Sequence, residues 1–388
     1  MYHLSDEELT KKGAVITTRE IQQQPRLWQE AFELYTERKE AIESFLTTIK
    51  NKHSKVCVVF TGAGTSAYVG DTVIAYLKSK VDEKQFDLQS VPTTDIVSNP
   101  YEFYNPEIPT LLVSFARSGN SPESVAAVQL GQQLIPDFYQ LTITCAAEGK
   151  LAINSKGDDK NLLLLMPEDS NDKGFAMTGS YSCMALTTLL VFDSADFEQK
   201  KAYVEMMSQL GNEVVANDSQ IQSLLDLDFN RVVYLGSGSL AGLTREAQLK
   251  ILELTAGKIA TIFDSSMGFR HGPKSFVDDK TIIFGFVSNN AYTRQYDLDI
   301  LEEVAADEIA EKVCAITVKR DTTFSQDKYE FTTGETLPDA YLALPYVMFA
   351  QTVSVMASLK VGNTPDTPSP TGTVNRVVQG VKIHSYSN

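Results

Sequence analysis

The sequence predicts an α/β fold in which a parallel sheet flanked by helices, a flavodoxin-like three-layer αβα arrangement, is built twice along the chain. Short apolar runs alternate with helical patterns, which is typical of parallel sheets covered on both faces. The two halves also repeat each other. Residues 58–66 (VVFTGAGTS) match residues 232–240 (VVYLGSGSL), an offset of 174 (232 minus 58). Residues 110–115 (TLLVSF) match residues 281–286 (TIIFGF), an offset of 171 (281 minus 110).

The first half begins with a polar helical segment and continues as alternating strands and helices. Pro25 ends or kinks the first helix, and an amphipathic helix follows over residues 27–46. Continuous apolar runs predict buried strands. The strands are expected at residues 57–60, 111–115, 139–145 and 162–166, and the helices at residues 66–80, 122–134 and 177–192.

A charged helical connector over residues 193–228 precedes the second half. The predicted strands there are 231–235, 281–287 and 313–318, and the predicted helices are 241–256, 294–307 and 338–359. We expect an N-terminal helical segment (1–45), a first αβα domain (46–198), a linker (199–214), a second αβα domain (215–365) and a C-terminal tail (366–388).

Composition excludes several classes of function. The 388 residues include 50 acidic and 34 basic residues, a formal net charge of −16, which argues against nucleic acid or an anionic membrane surface as partner. The four cysteines lie in apolar runs without metal-ligand spacing, and only four histidines are present. We therefore expect buried free thiols and no metal or other cofactor. A polar N-terminus and the absence of a membrane-length apolar run predict a cytoplasmic protein.

The segment after the run at residues 111–113 predicts a phosphate site. Arg117, Ser118, Gly119, Asn120 and Ser121 lead into a helix that opens at Pro122. The N–H groups and dipole at a helix N-terminus favour an anion, and hydroxyl and guanidinium groups add donors. An ordinary capped turn is the alternative, but it does not require this density of donors. The matching position of the second half reads Ser-Asn-Asn-Ala, so we expect one phosphate site per chain.

A second turn, residues 62–66 (GAGTS), comes directly after the first strand. Its glycines resemble part of a dinucleotide fingerprint, but the third glycine is missing, so this evidence is weak. Gly64 is suited to a tight turn, and Thr65 and Ser66 offer hydroxyls at the carboxyl edge of the predicted sheet, where open α/β sheets bind ligands.

Candidate catalytic groups lie in the second half. Glu246, Lys250 and Glu253 share one face of the helix at 241–256. For Glu246 we expect an ordinary solvated pair with Lys250. Glu253 lies between two leucines near the helix end and is a candidate general base. His271 lies in the constrained loop Arg-His-Gly-Pro, where it is suited to a proton shuttle, although a lone loop histidine is more often incidental.

In combination these motifs resemble the sugar isomerase (SIS) family, with two SIS domains in tandem. The arrangement is similar to the isomerase half of glucosamine-6-phosphate synthase and closest to the tagatose-6-phosphate ketose/aldose isomerases and galactosamine-6-phosphate deaminase/isomerases. The resemblance covers nearly the whole chain. It is carried by Glu20-Ile21 with residues 23–25 (QQP), residues 62–66, the loop 117–121, Lys250 with Glu253, and His271-Gly272-Pro273.

The resemblance implies a role for each motif. Ser118 and Ser121 bind the sugar phosphate, and Thr65 and Ser66 contact the phosphate or sugar. Phe175 and Thr178 line the sugar, Glu253 moves the proton between C1 and C2, and His271 opens the ring from the partner subunit of a homodimer with shared sites. Lys382 corresponds to a lysine of the closing C-terminal tail, with Arg376 as an alternative cation. The synthase has Ser-Gln-Ser where this chain has residues 116–118 (ARS), so one hydroxyl is exchanged for a cation.

The function implied is conversion of galactosamine 6-phosphate to tagatose 6-phosphate and ammonia. A simple aldose–ketose isomerase of hexose 6-phosphates and a non-catalytic sugar-phosphate sensor are the alternatives. The sensor needs neither Glu253 nor His271. The hexose epimer, galacto or gluco, is left open.

Overall fold

The computed structural model describes residues 1–320, 324–378 and 380–387. The strands of these residues form two five-stranded sheets. The strands are β1 (Val56–Thr61), β2 (Phe86–Ser90), β3 (Thr110–Ala116), β4 (Phe138–Thr144), β5 (Asn161–Leu165), β6 (Arg231–Gly236), β7 (Ala260–Ser265), β8 (Thr281–Phe286), β9 (Lys312–Val318) and β10 (Asp327–Phe331).

Helices connect and cover these strands. They are α1 (Asp6–Lys11), α2 (Val15–Gln22), α3 (Gln24–Lys52), α4 (Thr65–Lys78), α5 (Thr93–Ser98), α6 (Pro100–Phe103), α7 (Pro122–Leu134), α8 (Lys150–Asn154), α9 (Gly179–Phe192), α10 (Phe197–Ala216), α11 (Asp218–Leu225), α12 (Ser239–Leu254), α13 (Ala291–Ala306) and α14 (Asp339–Lys360). Pro25 lies at the start of α3, where its missing N–H is no loss.

The chain divides into two compact units, each containing one sheet. The first-sheet unit comprises Leu27–Asp172, Gly179–Asp196 and Asn375–Asn388. The second-sheet unit comprises Met1–Arg26, Lys173–Thr178 and Phe197–Val374. The domain limits expected from the sequence remain predictions.

The two sheets have the same topology. The first has the order β2-β1-β3-β4-β5, and the second, read from its other edge, has the order β7-β6-β8-β9-β10. Each pairing is parallel, and this is the flavodoxin-like order. The registers agree as well, since Val58 pairs with Leu111 and the matching Val232 pairs with Ile282. The predicted α/β fold and its duplication are confirmed.

Three strands were missed by the sequence reading, namely β2, β7 and β10. All three lie at sheet edges. Their sequences (FDLQS, ATIFDS and DKYEF) mix polar and apolar residues, because an edge strand is covered less completely than a central one. The search for continuous apolar runs detects central strands and overlooks such edges.

Each unit has its own apolar core. In the second-sheet unit α14 packs along α12, α10 and α11. Among the described residues α14 is long and apolar enough to cross a membrane, but 94% of its apolar window is buried within the molecule, so it packs as a core helix. All four cysteines are free and buried, as predicted.

The turns that follow β1 and β6 have the same backbone conformation at their second glycine. Gly64 has φ 58° and ψ −131°, and Gly238, its equivalent (238 minus 64 is 174), has φ 57° and ψ −124°. A Cβ at either position would meet no atom within 4 Å. Only the backbone conformation therefore opposes a side chain at these positions.

Substitution of Gly238 by Ala is expected to lower the free energy of unfolding by roughly 1–3 kcal/mol, the cost of this conformation for a residue with a Cβ. Gly64→Ala should cost a similar amount. Urea unfolding followed by circular dichroism measures both. A Gly238→Ala midpoint equal to that of the parent protein would show that the turn relaxes without cost.

Candidate active site

Two helix N-termini meet at the carboxyl edge of the first sheet. Strands β1 and β3 are neighbours, and each leads through a short turn into a helix, α4 after Gly64 and α7 after Ser121. This is the switch point of the flavodoxin-like order, where ligands bind in open α/β sheets. Both helices direct the positive end of their dipoles to this edge. In α4 the N–H groups of Ser66 and Ala67 donate to Ala63 O and Gly64 O.

The loop between β3 and α7 is held in place by its own unit. The N–H of Asn120 donates to Ser118 Oγ at 3.3 Å. The N–H groups of Lys150 and Leu151 donate to Asn120 Oδ1 at 3.1 Å and to Gly119 O at 3.1 Å. Gly119 has φ 65°, and a Cβ there would lie 3.3 Å from the Cα of Gly149. These contacts tie the loop to the segment at residues 149–151.

Several hydroxyl groups lie near this edge, and the one at the N-cap of α7 makes no capping hydrogen bond. Thr65 and Ser66 are buried in the first turn of α4, and Ser118 is partly exposed. Ser121 lies at the N-cap of α7, but its side chain makes no capping hydrogen bond. The first turn of α7 thus keeps N–H groups available for an external acceptor, as an anion site requires.

The corresponding edge of the second sheet is closed by the protein's own groups. The N-cap of α13 is Asn290, whose side chain accepts from the N–H groups of Tyr292 and Thr293 at 3.0 and 3.1 Å. Ser288 is the equivalent of Arg117 (288 minus 117 is 171), and its N–H donates to Asp297 Oδ2 at 2.9 Å. Its hydroxyl donates to Asp339 at 2.5 Å.

Asp297 therefore occupies a position that an external anion would fill. It also accepts from the hydroxyls of Ser237 and Ser266 at 2.5 and 2.6 Å. Burial raises the pKa of both Asp297 and Asp339, while the hydroxyl and N–H donors oppose that rise. This closed arrangement supports the assignment of a phosphate site to the first sheet alone.

Arg117 links the phosphate loop to the C-terminal tail. Its buried guanidinium donates from Nη2 to the carbonyl of Arg376 at 2.6 Å. Arg376 in turn donates from Nε to the carbonyl of Asp172 at 3.0 Å. Further along the tail, Tyr386 packs against the apolar core of the same unit. Lys382 lies between these two anchors and is exposed.

On α12, the three charged residues form a line of contacts. Lys250 Nζ lies 3.5 Å from Glu246 Oε1 and 2.5 Å from Glu253 Oε2. The expectation that Glu246 is solvated is wrong, because Glu246 and Lys250 are 0% and 1% exposed. Helix α12 packs against α14, β6 and β7, which together cover the face that sequence periodicity places at the rim. Only Glu253 reaches solvent, with 24% of its side chain exposed.

A buried ion pair of this kind fixes the position of Lys250. The ammonium group lies between two carboxylates: it pairs with Glu246 and donates a hydrogen bond to Glu253 Oε2. The accessible carboxylate is thereby held in one place, as a proton-transfer base must be.

His271 lies at the end of a 3₁₀ turn, Gly268–His271, and is exposed. The neighbouring Phe269 is fully buried in the core of the second-sheet unit. The imidazole is therefore presented on an anchored loop, which is compatible with the role that the resemblance implies.

The segment Lys173–Thr178 is organised by Glu20, a residue to which the sequence reading gave no role. The carboxylate accepts from the N–H of Lys173 at 2.5 Å and from the N–H of Gly174 at 3.2 Å. Glu20 is buried, as is Thr178, whereas Phe175 is partly exposed. Glu20 belongs to the motif that precedes the first domain, and its charge within that motif was the sequence signal that could have indicated a role.

The structure groups the predicted site residues by unit. The first-sheet unit holds Gly64, Thr65, Ser66 and residues 117–121, with Arg376 and Lys382 of the tail. The second-sheet unit holds Lys250, Glu253, His271, Phe175 and Thr178. No group of three or more His, Cys, Asp or Glu side chains within residues 1–320, 324–378 and 380–387 is placed to hold a metal ion.

Comparison with known proteins identifies the family. The model of the SIS domain matches residues 227–361. The chain is 44% identical to D-galactosamine-6-phosphate deaminase AgaS of Escherichia coli over 381 residues, which cover 95% of this chain and 96% of the relative. The chain belongs to the SIS domain family.

Two crystal structures share the fold of the whole chain. Tagatose-6-phosphate ketose/aldose isomerase from Escherichia coli is 40% identical, with a TM-score of 0.87 and coverage of 96% of this chain and 97% of that one. A Clostridium novyi NT protein, provisionally described by the same activity, is 42% identical, with a TM-score of 0.93 and coverage of 100% and 99%. The predicted family and the two SIS-like halves are confirmed.

Substitution of Ser118 by Ala is expected to weaken binding of sugar 6-phosphates by about 1–3 kcal/mol, because a hydrogen bond to a charged phosphate is lost. Isothermal titration calorimetry measures the change. Ser79→Ala is the matched control, since its hydroxyl bonds only to its own helix at Tyr76 O. Equal affinity of the Ser118 and Ser79 variants would place the anion site elsewhere.

Proposed function

We propose that this protein is an amino-sugar-phosphate deaminase/isomerase that converts galactosamine 6-phosphate to tagatose 6-phosphate and ammonia. The observation that carries the proposal is Glu253, whose side chain is partly exposed and whose carboxylate is bound by Lys250 of the buried Lys250–Glu246 pair. Relatives at 40–44% identity over nearly the full chain, named as galactosamine-6-phosphate deaminases, support it.

The residues of the first-sheet unit are proposed to bind the phosphate. Ser118 and Ser121 donate hydroxyl groups, Asn120 donates its side-chain amide, the first turn of α7 donates N–H groups, and Thr65 and Ser66 contribute from α4. Arg117 adds positive charge to a protein whose overall field repels anions. Phe175 and Thr178 are proposed to contact the sugar.

The proposed reaction is a proton transfer followed by hydrolysis. His271 assists opening of the ring, which gives an aldehyde at C1 and makes the C2 proton acidic. Glu253 takes the C2 proton, and the resulting enolamine is protonated at C1 to give an imine at C2. Water adds to that imine and ammonia leaves, so the product is the ketose 6-phosphate. The adjacent carbonyl supplies the acidity, and the scheme uses no cofactor.

The tail residues are assigned different roles. Arg376 donates to the carbonyl of Asp172, which makes it an anchor of the tail. Lys382 is exposed and is therefore the better candidate for the cation that closes over the open-chain sugar. We further propose a cytoplasmic homodimer in which His271 acts in the partner's site.

A simple aldose–ketose isomerase is the second candidate. It is favoured by the likeness to tagatose-6-phosphate ketose/aldose isomerase from Escherichia coli. The same base and the same C2-to-C1 proton transfer serve a sugar with a hydroxyl at C2, so the two functions differ in the substrate and the final hydrolysis.

The purified protein is expected to release ammonia from galactosamine 6-phosphate and to form tagatose 6-phosphate. In deuterated water the ketose should gain deuterium at C1, because solvent exchanges with the proton on the base. Coupled ammonia detection and NMR of the product measure both results. Glu253→Gln should abolish turnover, and Glu311→Gln, at an exposed position of the same unit, should leave it unchanged.

Two results would contradict the deaminase. Interconversion of galactose 6-phosphate and tagatose 6-phosphate without turnover of the amino sugar would establish the simple isomerase. Tight binding of both sugars without turnover of either would indicate a sensor.

Glu253→Gln and His271→Asn are each expected to be nearly inactive alone. When the two variants are unfolded together and reassembled, mixed dimers should regain activity, because one of their two sites then contains both native residues. Differently tagged subunits allow the mixed dimers to be purified and assayed. Inactive mixed dimers would show that His271 does not act across the subunit interface.

A further inference from the structure

We infer that Glu303 is a positioning residue for His271. This inference rests on the proposed function, because it assigns to Glu303 the task of holding the loop that presents the imidazole. The observation behind it is that the residues on both sides of His271 are bound to this one carboxylate.

Glu303 lies on α13 and accepts from both flanking cations. Arg270 Nε donates to Glu303 Oε2 at 2.6 Å, and Lys274 Nζ donates to Glu303 Oε1 at 2.8 Å. Lys274 also pairs with Asp307, one turn further along the helix, at 2.6 Å. The two cations precede and follow His271-Gly272-Pro273, so the carboxylate closes a bridge across the base of this short segment.

The contacts with Lys274 and Arg270 change the pKa of the Glu303 carboxylate. The hydrogen bonds from Lys274 and Arg270 lower the pKa of Glu303. Glu303 is thus ionised at neutral pH and bound through both oxygens. A network of several charges holds its geometry better than an isolated surface pair.

The rest of the loop is anchored independently. Phe269 is fully buried, and the N–H of Gly268 donates to Ser265 Oγ at 3.0 Å. A Cβ at Gly268 would lie 2.6 Å from Asp264 Oδ1, so the chain is packed closely there. At the other end, Arg231 donates to the carbonyl of Phe276 at 2.7 Å. His271 is exposed, and the segments before and after it are bound.

A histidine that transfers protons to or from a sugar must lie within hydrogen-bond reach of one oxygen atom. Loss of the Glu303 bridge leaves the fold anchored through Phe269, releases Arg270 from this carboxylate and leaves Lys274 paired with Asp307. The imidazole then samples several positions, and a displacement of about 1 Å can cost up to about 100-fold in rate.

Glu303→Gln is the test, and Asp299→Asn is the matched control. Asp299 is an exposed acidic residue one turn earlier on α13, so both variants remove one negative charge from the same helix. We expect Glu303→Gln to lower kcat on galactosamine 6-phosphate by roughly 10- to 100-fold with an unchanged KM. Asp299→Asn should behave as the parent protein, and thermal unfolding should show all variants folded.

A double-variant cycle separates positioning from a general structural effect. Spontaneous opening of the sugar ring leaves His271→Asn a measurable residual rate. If Glu303 acts through His271, adding Glu303→Gln to His271→Asn should not lower this rate further. A further loss of the same size as in the single variant would overturn the inference.

The outcomes also distinguish this inference from the proposed function. If His271→Asn lowers kcat and Glu303→Gln does not, the inference fails while the proposed function stands. If His271→Asn retains the full rate, the assigned role of His271 fails. In that case a loss of rate in Glu303→Gln would have another cause and would not support the inference.

Discussion

The unpaired N–H groups at the carboxyl edge of a parallel sheet are the constraint on which this protein's organisation depends. Every strand–helix connection of a flavodoxin-like sheet brings a helix N-terminus to that edge, and adjacent strands bring two of them together. These donors need an acceptor. The second sheet supplies its own, in Asn290, Asp297 and Asp339. In the first sheet the side chain of Ser121, at the N-cap of α7, makes no capping hydrogen bond, as the proposed site for an external anion requires.

The two sheets thus share one topology and differ in a few loop residues. The turn after the first strand keeps the same glycine conformation in both sheets, and the registers of the central strands agree. The difference lies in the loop after the second central strand of each sheet. Ser118 in the first of these loops is partly exposed, whereas in the second Ser288 donates to Asp297 and Asp339 and Asn289 donates to Asp339. The carboxylates of Asp297 and Asp339 thus accept the donors of the second-sheet loop from within the protein.

The sequence predicted the central strands and the duplication, because both follow from local patterns, while the phosphate site at residues 117–121 stays a prediction. It failed where burial depends on distant segments. Glu246 is polar and lies on a charged face, so periodicity places it in solvent, yet α14, more than 80 residues away in the chain, contributes to covering that face. The edge strands β2, β7 and β10 were missed for the opposite reason, since their incomplete burial leaves no continuous apolar run. The bond from Arg117 to the carbonyl of Arg376 joins residues 259 positions apart, which no local pattern reveals.

The buried Lys250 and the exposed His271 illustrate two ways of positioning a candidate site residue. Lys250 is enclosed, so its position is set by packing and by a counterion that solvent does not screen. His271 is exposed, so the nearby Phe269 packs in the core in its place. The orientation of the loop then depends on the surface contacts of Arg270 and Lys274 with Glu303. Surface ion pairs contribute little to the stability of a fold. Their concentration around one accessible imidazole is therefore better explained by a requirement for its geometry than by a requirement for stability.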